Sequence, residues 1–222
     1  MVIHQDLAQI KLVLFDLDDT LVHTYTDYEL ARREIKNYLV SLGLPQEVVI
    51  KPIILKIKES AKKLASNYAQ QQQIETISLS IIEKVELEAV KNARVIEGSK
   101  PSLNYLRTKG LHVGIFSRTS SAAISKILAE ADLGKFDIIL GRNDLKEPKP
   151  DPEGILKSAK ALGLKTNQIA LVGDHPYDIL STKKVNSISI GVLTGVSDRQ
   201  TLESVKSDYI LESVLDLPKL FT

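Results

Sequence analysis

The sequence has no cysteine, which excludes a disulfide framework, thiolate catalysis and any thiolate metal site. It also lacks an excess of either charge. With 29 basic against 28 acidic residues the formal net charge is +1, so no large field favours nucleic acid or an anionic membrane. Small molecules are the expected partners. No apolar run approaches the ~20 residues of a membrane span, and the opening stretch MVIHQDLAQIKLVLFD has no basic region leading into an apolar signal core. A soluble, cytoplasmic protein is therefore expected. What is present is ordinary globular usage, 43% hydrophobic and 26% charged over 222 residues, enough for one domain carrying a sizeable insertion.

The run Ile10 to Phe15 is apolar and ends at Asp16-Leu17-Asp18, the pattern of a buried strand that delivers carboxylates at its C-terminal tip. Further short apolar runs, Leu111 to Phe116, Ile138 to Leu140, Ile169 to Val172 and Ile188 to Ile190, alternate with amphipathic stretches. That alternation predicts a doubly wound, mostly parallel (Rossmann-like) α/β sheet. A helix is expected from about Lys100-Pro101 to Gly110. Between Leu21 and about Arg94 the strand signal disappears and the sequence is helical in character. The reading is a core of residues 1–20 and 95–222 and an all-helical cap of residues 21–94. Capping boxes are expected at Thr26 with Glu29 and at Ser80 with Glu83, the second opening a helix that returns to the core. Pro45 and Pro52 break the segment between them, and Gln70 to Gln73 read as a solvated helix face.

Four short motifs carry chemistry, and each has a plain structural role when taken alone. Asp16-x-Asp18 matches a solvated turn, although at a strand tip both carboxylates lean toward one space while Leu17 faces the core. Thr20 reads as a helix N-cap or a local hydrogen-bonding residue. Ser117-Arg118-Thr119-Ser120 follows another strand and offers hydroxyls and amides to a phosphate, or else merely caps the next helix. Glu147-Pro148-Lys149-Pro150-Asp151-Pro152 fixes one lysine among three prolines, or else is a surface spacer. Gly173-Asp174-His175-Pro176-Tyr177-Asp178 sets two carboxylates four residues apart as a helix begins. Their occurrence in order, each beside an expected strand tip, changes the weighing. Four clustered aspartates repel unless positive charge joins them, and Lys149 with a divalent cation supplies it. An all-oxygen donor set suits Mg²⁺ and not zinc.

At these residues the sequence resembles the haloacid dehalogenase-like hydrolase superfamily, whose motifs stand here as FDLDDTL, FSRTS, EPKPDP and GDHPYD. The resemblance spans nearly the whole chain and looks closest to phosphoglycolate-phosphatase-like and pyrophosphatase-like members. It implies a phosphatase with Asp16 as nucleophile, Asp18 as general acid and base, Ser117 holding the phosphoryl group and Lys149 neutralising it. It also implies Mg²⁺ bound by Asp16, the backbone carbonyl of Asp18 and Asp174, with Asp178 acting through water or orienting Lys149. Arg118 stands where many relatives have a small residue or asparagine, and His23 where many have aspartate. Arg118 is assigned to substrate binding on this reading. A small phosphorylated metabolite is the expected partner, because a cap rooted after Asp18 should leave a small chamber. A phosphosugar mutase shares the four motifs. A receiver-like signalling module collects similar groups, and a catalytically silent relative would keep them as a binding subunit. His23 and His175 are expected to line the site, and His4 and His112 to be structural or solvent-facing.

Overall fold

The computed structural model describes residues 7–221, so His4 lies outside the described residues. The chain divides into two compact units, one made of the residues up to Thr24 and from Ala93 onward, the other of Tyr25–Asn92. In chain order, strands β1 (Leu12–Phe15) and β2 (Val22–His23) come first, then helices α1 (Tyr28–Ser41), α2 (Ile53–Leu64) and α3 (Tyr68–Ala89). The chain continues through β3 (Arg94–Val95), α4 (Ser99–Thr108), β4 (His112–Phe116), α5 (Ser121–Ala131) and β5 (Ile138–Leu140). It closes with α6 (Glu153–Leu162), β6 (Ile169–Gly173), α7 (Pro176–Lys183), β7 (Ile188–Val192), α8 (Arg199–Ser204) and β8 (Tyr209–Leu211).

Six strands form one parallel sheet in the order β5-β4-β1-β6-β7-β8. The order runs outward from β1 in both directions, which is the doubly wound arrangement of a Rossmann-like α/β fold. The central strands need residues that are apolar on both faces, and every residue of β1, β6 and β7 is buried. Leu12, Leu14, Phe116, Ile155, Ala159, Ile169 and Leu171 form one cluster between the sheet and α6. Gly154 of α6 is required there, since a Cβ would lie 2.5 Å from the Phe116 ring. Three strands escape the sequence reading. β8 is three half-buried residues at the sheet edge, and β2 pairs antiparallel with β3 over only two residues each. None is long enough to show a periodicity.

The helical unit has its own core, in which Ile35 and Leu39 of α1, Ile54 and Ile57 of α2, and Ile74 and Ile82 of α3 are buried together. Its caps differ from expectation. Asp27, not Thr26, caps α1, because its carboxylate accepts from Leu30 N–H at 2.9 Å, and Glu29 instead pairs with Arg32. No helix opens at Ser80. α3 runs unbroken from an Asn67 cap, and the Ser80 hydroxyl donates to the Ile77 carbonyl within the helix. Gln70, Gln72 and Gln73 are exposed on it. Among the described residues no helix is long and apolar enough to cross a membrane.

Candidate active site

The three central strands end side by side, and their register decides which side chains meet. Phe15 lies level with Ile115 of β4 and Val172 of β6, so Asp16 emerges next to Phe116 and Gly173, one residue before Ser117 and Asp174. The Asp16 amide continues the ladder by donating to the Val172 carbonyl at 2.8 Å. Leu17 is fully buried, as the alternation requires. Lys149 arrives from the proline-rich loop and is buried. Its Nζ lies 2.5 Å from Asp178 Oδ1, 2.9 Å from Asp16 Oδ1 and 5.2 Å from the centre of the Phe116 ring. Burial alone would lower the lysine's pKa, but the Asp16 and Asp178 carboxylates outweigh it and hold the ammonium above its usual range.

Oxygen atoms of Asp16, Asp174 and Asp178 lie within 4.8 Å of one another. Burial, then repulsion from Asp16 and Asp178, raises the pKa of Asp174 to about 8. Burial pushes Asp178 up as well, against the pull of Lys149. Asp16 Oδ1 is buried and makes no hydrogen bond, its contact with Lys149 being an ion pair whose angles are not those of a hydrogen bond. Crowded, proton-hungry carboxylates with an unsatisfied buried oxygen fit a hard divalent cation such as Mg²⁺. Asp178 has both oxygens engaged, Oδ1 by Lys149 and Oδ2 by the His175 amide at 3.1 Å.

Asp18 is turned differently from the other three acids. Its Oδ1 accepts from the Thr24 hydroxyl at 2.6 Å and the Thr24 amide at 3.0 Å. Burial raises its pKa to about 6, with Asp19 and Asp16 adding to the rise and Thr24 opposing it. Ser117 is buried and its hydroxyl meets Thr119 Oγ1 at 3.3 Å. Arg118 is half-buried, with its guanidinium 5.2 Å above the Tyr177 ring. His175 caps α7 through Nδ1, which accepts from the Tyr177 amide. Burial and then the Arg118 cation lower its pKa to about 4, so the ring is neutral at neutral pH. His23 pairs with Asp19 at 2.7 Å, while His112 is exposed beside Asp137.

At the site itself the sequence reading needs one correction and several additions. Thr20 caps no helix; it is fully buried and donates to Asp174 Oδ1 at 3.3 Å. Thr24, Arg142 and the 194–196 loop belong to none of the four motifs. Arg142 braces the Ser117 segment by donating its amide to the Thr119 carbonyl and Nη1 to the Arg118 carbonyl. The Val196 amide donates to Asp174 Oδ2, and a Cβ at Gly195 would lie 2.0 Å from that same oxygen. Gly195→Ala is therefore expected to displace the Asp174 carboxylate and to weaken Mg²⁺ binding by about tenfold or more, measured by calorimetric titration. Unchanged affinity would show that Asp174 does not hold the ion.

The family model for haloacid dehalogenase-like hydrolases matches residues 13–192. A pyrophosphatase PpaX of Bacillus velezensis is 30% identical over 117 residues, covering 52% of this chain and 54% of that one. A phosphoglycolate phosphatase of Escherichia coli K12 is 28% identical over 117 residues, covering 52% and 46% respectively. These alignments span about half the length of each relative. Among solved structures, a hydrolase from Pseudomonas syringae superposes with a TM-score of 0.66 at 22% identity, covering 96% of this chain and 97% of that one.

Proposed function

The chain belongs to the haloacid dehalogenase-like hydrolase family, and from that premise we propose that it hydrolyses a small phosphate monoester through an aspartyl-phosphate formed on Asp16. The observation that carries this reading is a pair of carboxyl groups in one site with opposite needs. Asp16 is held beside the Lys149 ammonium, while Asp18, two residues on, binds its proton until about pH 6. One is suited to attack as an anion. The other can carry a proton near working pH.

In the first step a carboxylate oxygen of Asp16 attacks phosphorus and the bond to the leaving oxygen breaks as Asp18 supplies its proton. In the second, Asp18 as carboxylate takes a proton from the water that attacks the aspartyl-phosphate, releasing inorganic phosphate and restoring Asp16. Splitting the displacement in two lowers each barrier. The Ser117 hydroxyl and Lys149 would hold the phosphoryl oxygens, with Asp178 orienting Lys149. Mg²⁺, held by Asp16, Asp174 and the Asp18 backbone carbonyl, would supply positive charge against the oxygens of the transferring group. The inserted helical unit is taken as the family's cap, and the named relatives point to compact phosphorylated acids or pyrophosphate-like compounds as substrates.

Turnover of p-nitrophenyl phosphate with Mg²⁺, abolished by EDTA, is the direct test; stoichiometric phosphorylation without turnover would instead fit a receiver-like module. Asp18→Asn is expected to slow hydrolysis by about 10²-fold or more with an alkyl phosphate, and less in the first step with p-nitrophenyl phosphate, whose leaving group needs little protonation. Equal losses with both esters would leave Asp18 a merely structural residue.

The ion should also show itself without catalysis. Asp174 has a folded pKa near 8 against an ordinary 3.8, so the metal-free folded state binds more protons than the unfolded state between these values. Its contribution to stability is present below about pH 4 and is lost as pH rises toward 8. A bound cation removes that penalty. The increase in melting temperature on adding Mg²⁺ is expected to grow from pH 5 to pH 8, and an increase independent of pH would count against this cluster as the binding site.

A further inference from the structure

We propose that Arg118 selects substrates that carry a second anionic group, a carboxylate or a second phosphate, alongside the phosphoryl group to be cleaved. The proposal rests on the reading of the Asp16 centre as a phosphatase. Arg118 directly follows Ser117, and its backbone is fixed from outside the loop, since its carbonyl accepts from Arg142 Nη1 at 2.8 Å and the next carbonyl from the Arg142 amide at 2.9 Å. The side chain is fixed too. Its guanidinium lies over the Tyr177 ring, and that ring packs edge-on against His175 with centroids 4.6 Å apart.

A stacked guanidinium uses its face for the aromatic contact and keeps its N–H edge for planar, two-point recognition of a carboxylate or phosphate. Here that edge is incompletely used. Nε is buried and makes no hydrogen bond, a condition that folded proteins seldom leave unmet. Among the described residues no carboxylate is ion-paired with Arg118, whereas Lys149 already has two. Arg118 follows Ser117 at the tip of β4, level with the tips of β1 and β6 that carry Asp16 and Asp174, and its ring partner Tyr177 stands three residues after Asp174, so the cation belongs to the same sheet edge as the reacting group. A compact ligand with one anion at Asp16 and Lys149 would place its second anion toward the Arg118 edge. A ligand ending in a hydroxymethyl group would leave that edge as it is.

The test compares ligands of matched size. With Mg²⁺ present, phosphonoacetate, methylenediphosphonate and 2-hydroxyethylphosphonate are titrated calorimetrically into the wild-type protein, Arg118→Ala and Arg118→Lys, and kcat/KM is measured for 2-phosphoglycolate against 2-hydroxyethyl phosphate. The wild type is expected to prefer the doubly anionic member of each comparison by about ten- to a hundredfold, and Arg118→Ala to bring the ratio near one. Arg118→Lys should fall between, keeping the charge without the fork. Phosphonoacetate and methylenediphosphonate distinguish a carboxylate from a second phosphate as the preferred partner. A wild-type ratio near one, or an Arg118→Ala loss equal for both ligand types as a purely structural stack would give, overturns the proposal. An intact binding ratio without turnover of any phosphate ester would overturn the phosphatase reading and support the anion contact.

Discussion

Replacing Asp16 with asparagine is expected to lower kcat by at least about a thousandfold, because an amide does not attack phosphorus and a neutral oxygen is a poorer partner for Lys149 and for a cation. The loss should not be one of folding. In the metal-free protein Asp16 repels Asp174 and Asp178, and removing its charge relieves both while Lys149 keeps its 2.5 Å partner in Asp178. The melting temperature of the variant is expected to stay within a few degrees of the wild type, about 1 kcal/mol for a chain of this size. Rapid acid quenching with radiolabelled substrate supplies the chemical readout. Label retained on denatured wild-type protein and absent from Asp16→Asn is the expected pair of results. A variant that kept several per cent of wild-type kcat would remove Asp16 as nucleophile.

That prediction could be framed from the sequence because the groups it concerns sit directly at the ends of apolar runs. Leu12 to Phe15 and Ile169 to Gly173 are buried on both faces, so their hydrophobicity is continuous and their ends are sharp, and the residues that follow each run fall at the sheet's C-terminal edge. Lys149 was legible for another reason, since the prolines on both sides of it restrict the backbone that carries the lysine. What escaped were residues that act over long sequence separations or through the backbone. Thr20 reaches Asp174 across 154 positions, and Arg142 braces the Arg118 carbonyl across 24. Neither bears a local pattern that differs from a cap or a surface charge. Gly195 matters for the side chain it lacks, and a lone glycine in a sequence most often marks a turn. Ser80 misled because a serine three residues before a glutamate is also compatible with a helix interior, where its hydroxyl bonds back to Ile77.

Lys149→Met is expected to have the largest effect on stability of any single change in the site. The methionine conserves most of the volume, so what is lost is charge. Lys149 is charged throughout the neutral range. Its folded pKa lies above the ordinary 10.5, so its stabilising contribution is complete below that value and is lost only as pH rises through the folded one. Without it, Asp178 is left fully buried beside Asp16 with no cation, and breaking a buried pair in this way costs about 3–5 kcal/mol. For a chain of this length that corresponds to a fall in melting temperature of roughly 6–20 °C. The double variant Lys149→Met, Asp178→Asn separates charge from packing. If uncompensated charge is the cause, neutralising Asp178 should recover most of the lost stability, and it keeps the test open should the single variant fail to fold. Activity should remain down by about 10²-fold or more in both variants, since neither offers the transferring phosphoryl group the positive charge of an ammonium. Recovery of stability without recovery of kcat would separate the two roles of Lys149. Restored activity in the double variant would mean that the ammonium serves only to neutralise Asp178, and the phosphate would then have to be held by Ser117 and the cation alone.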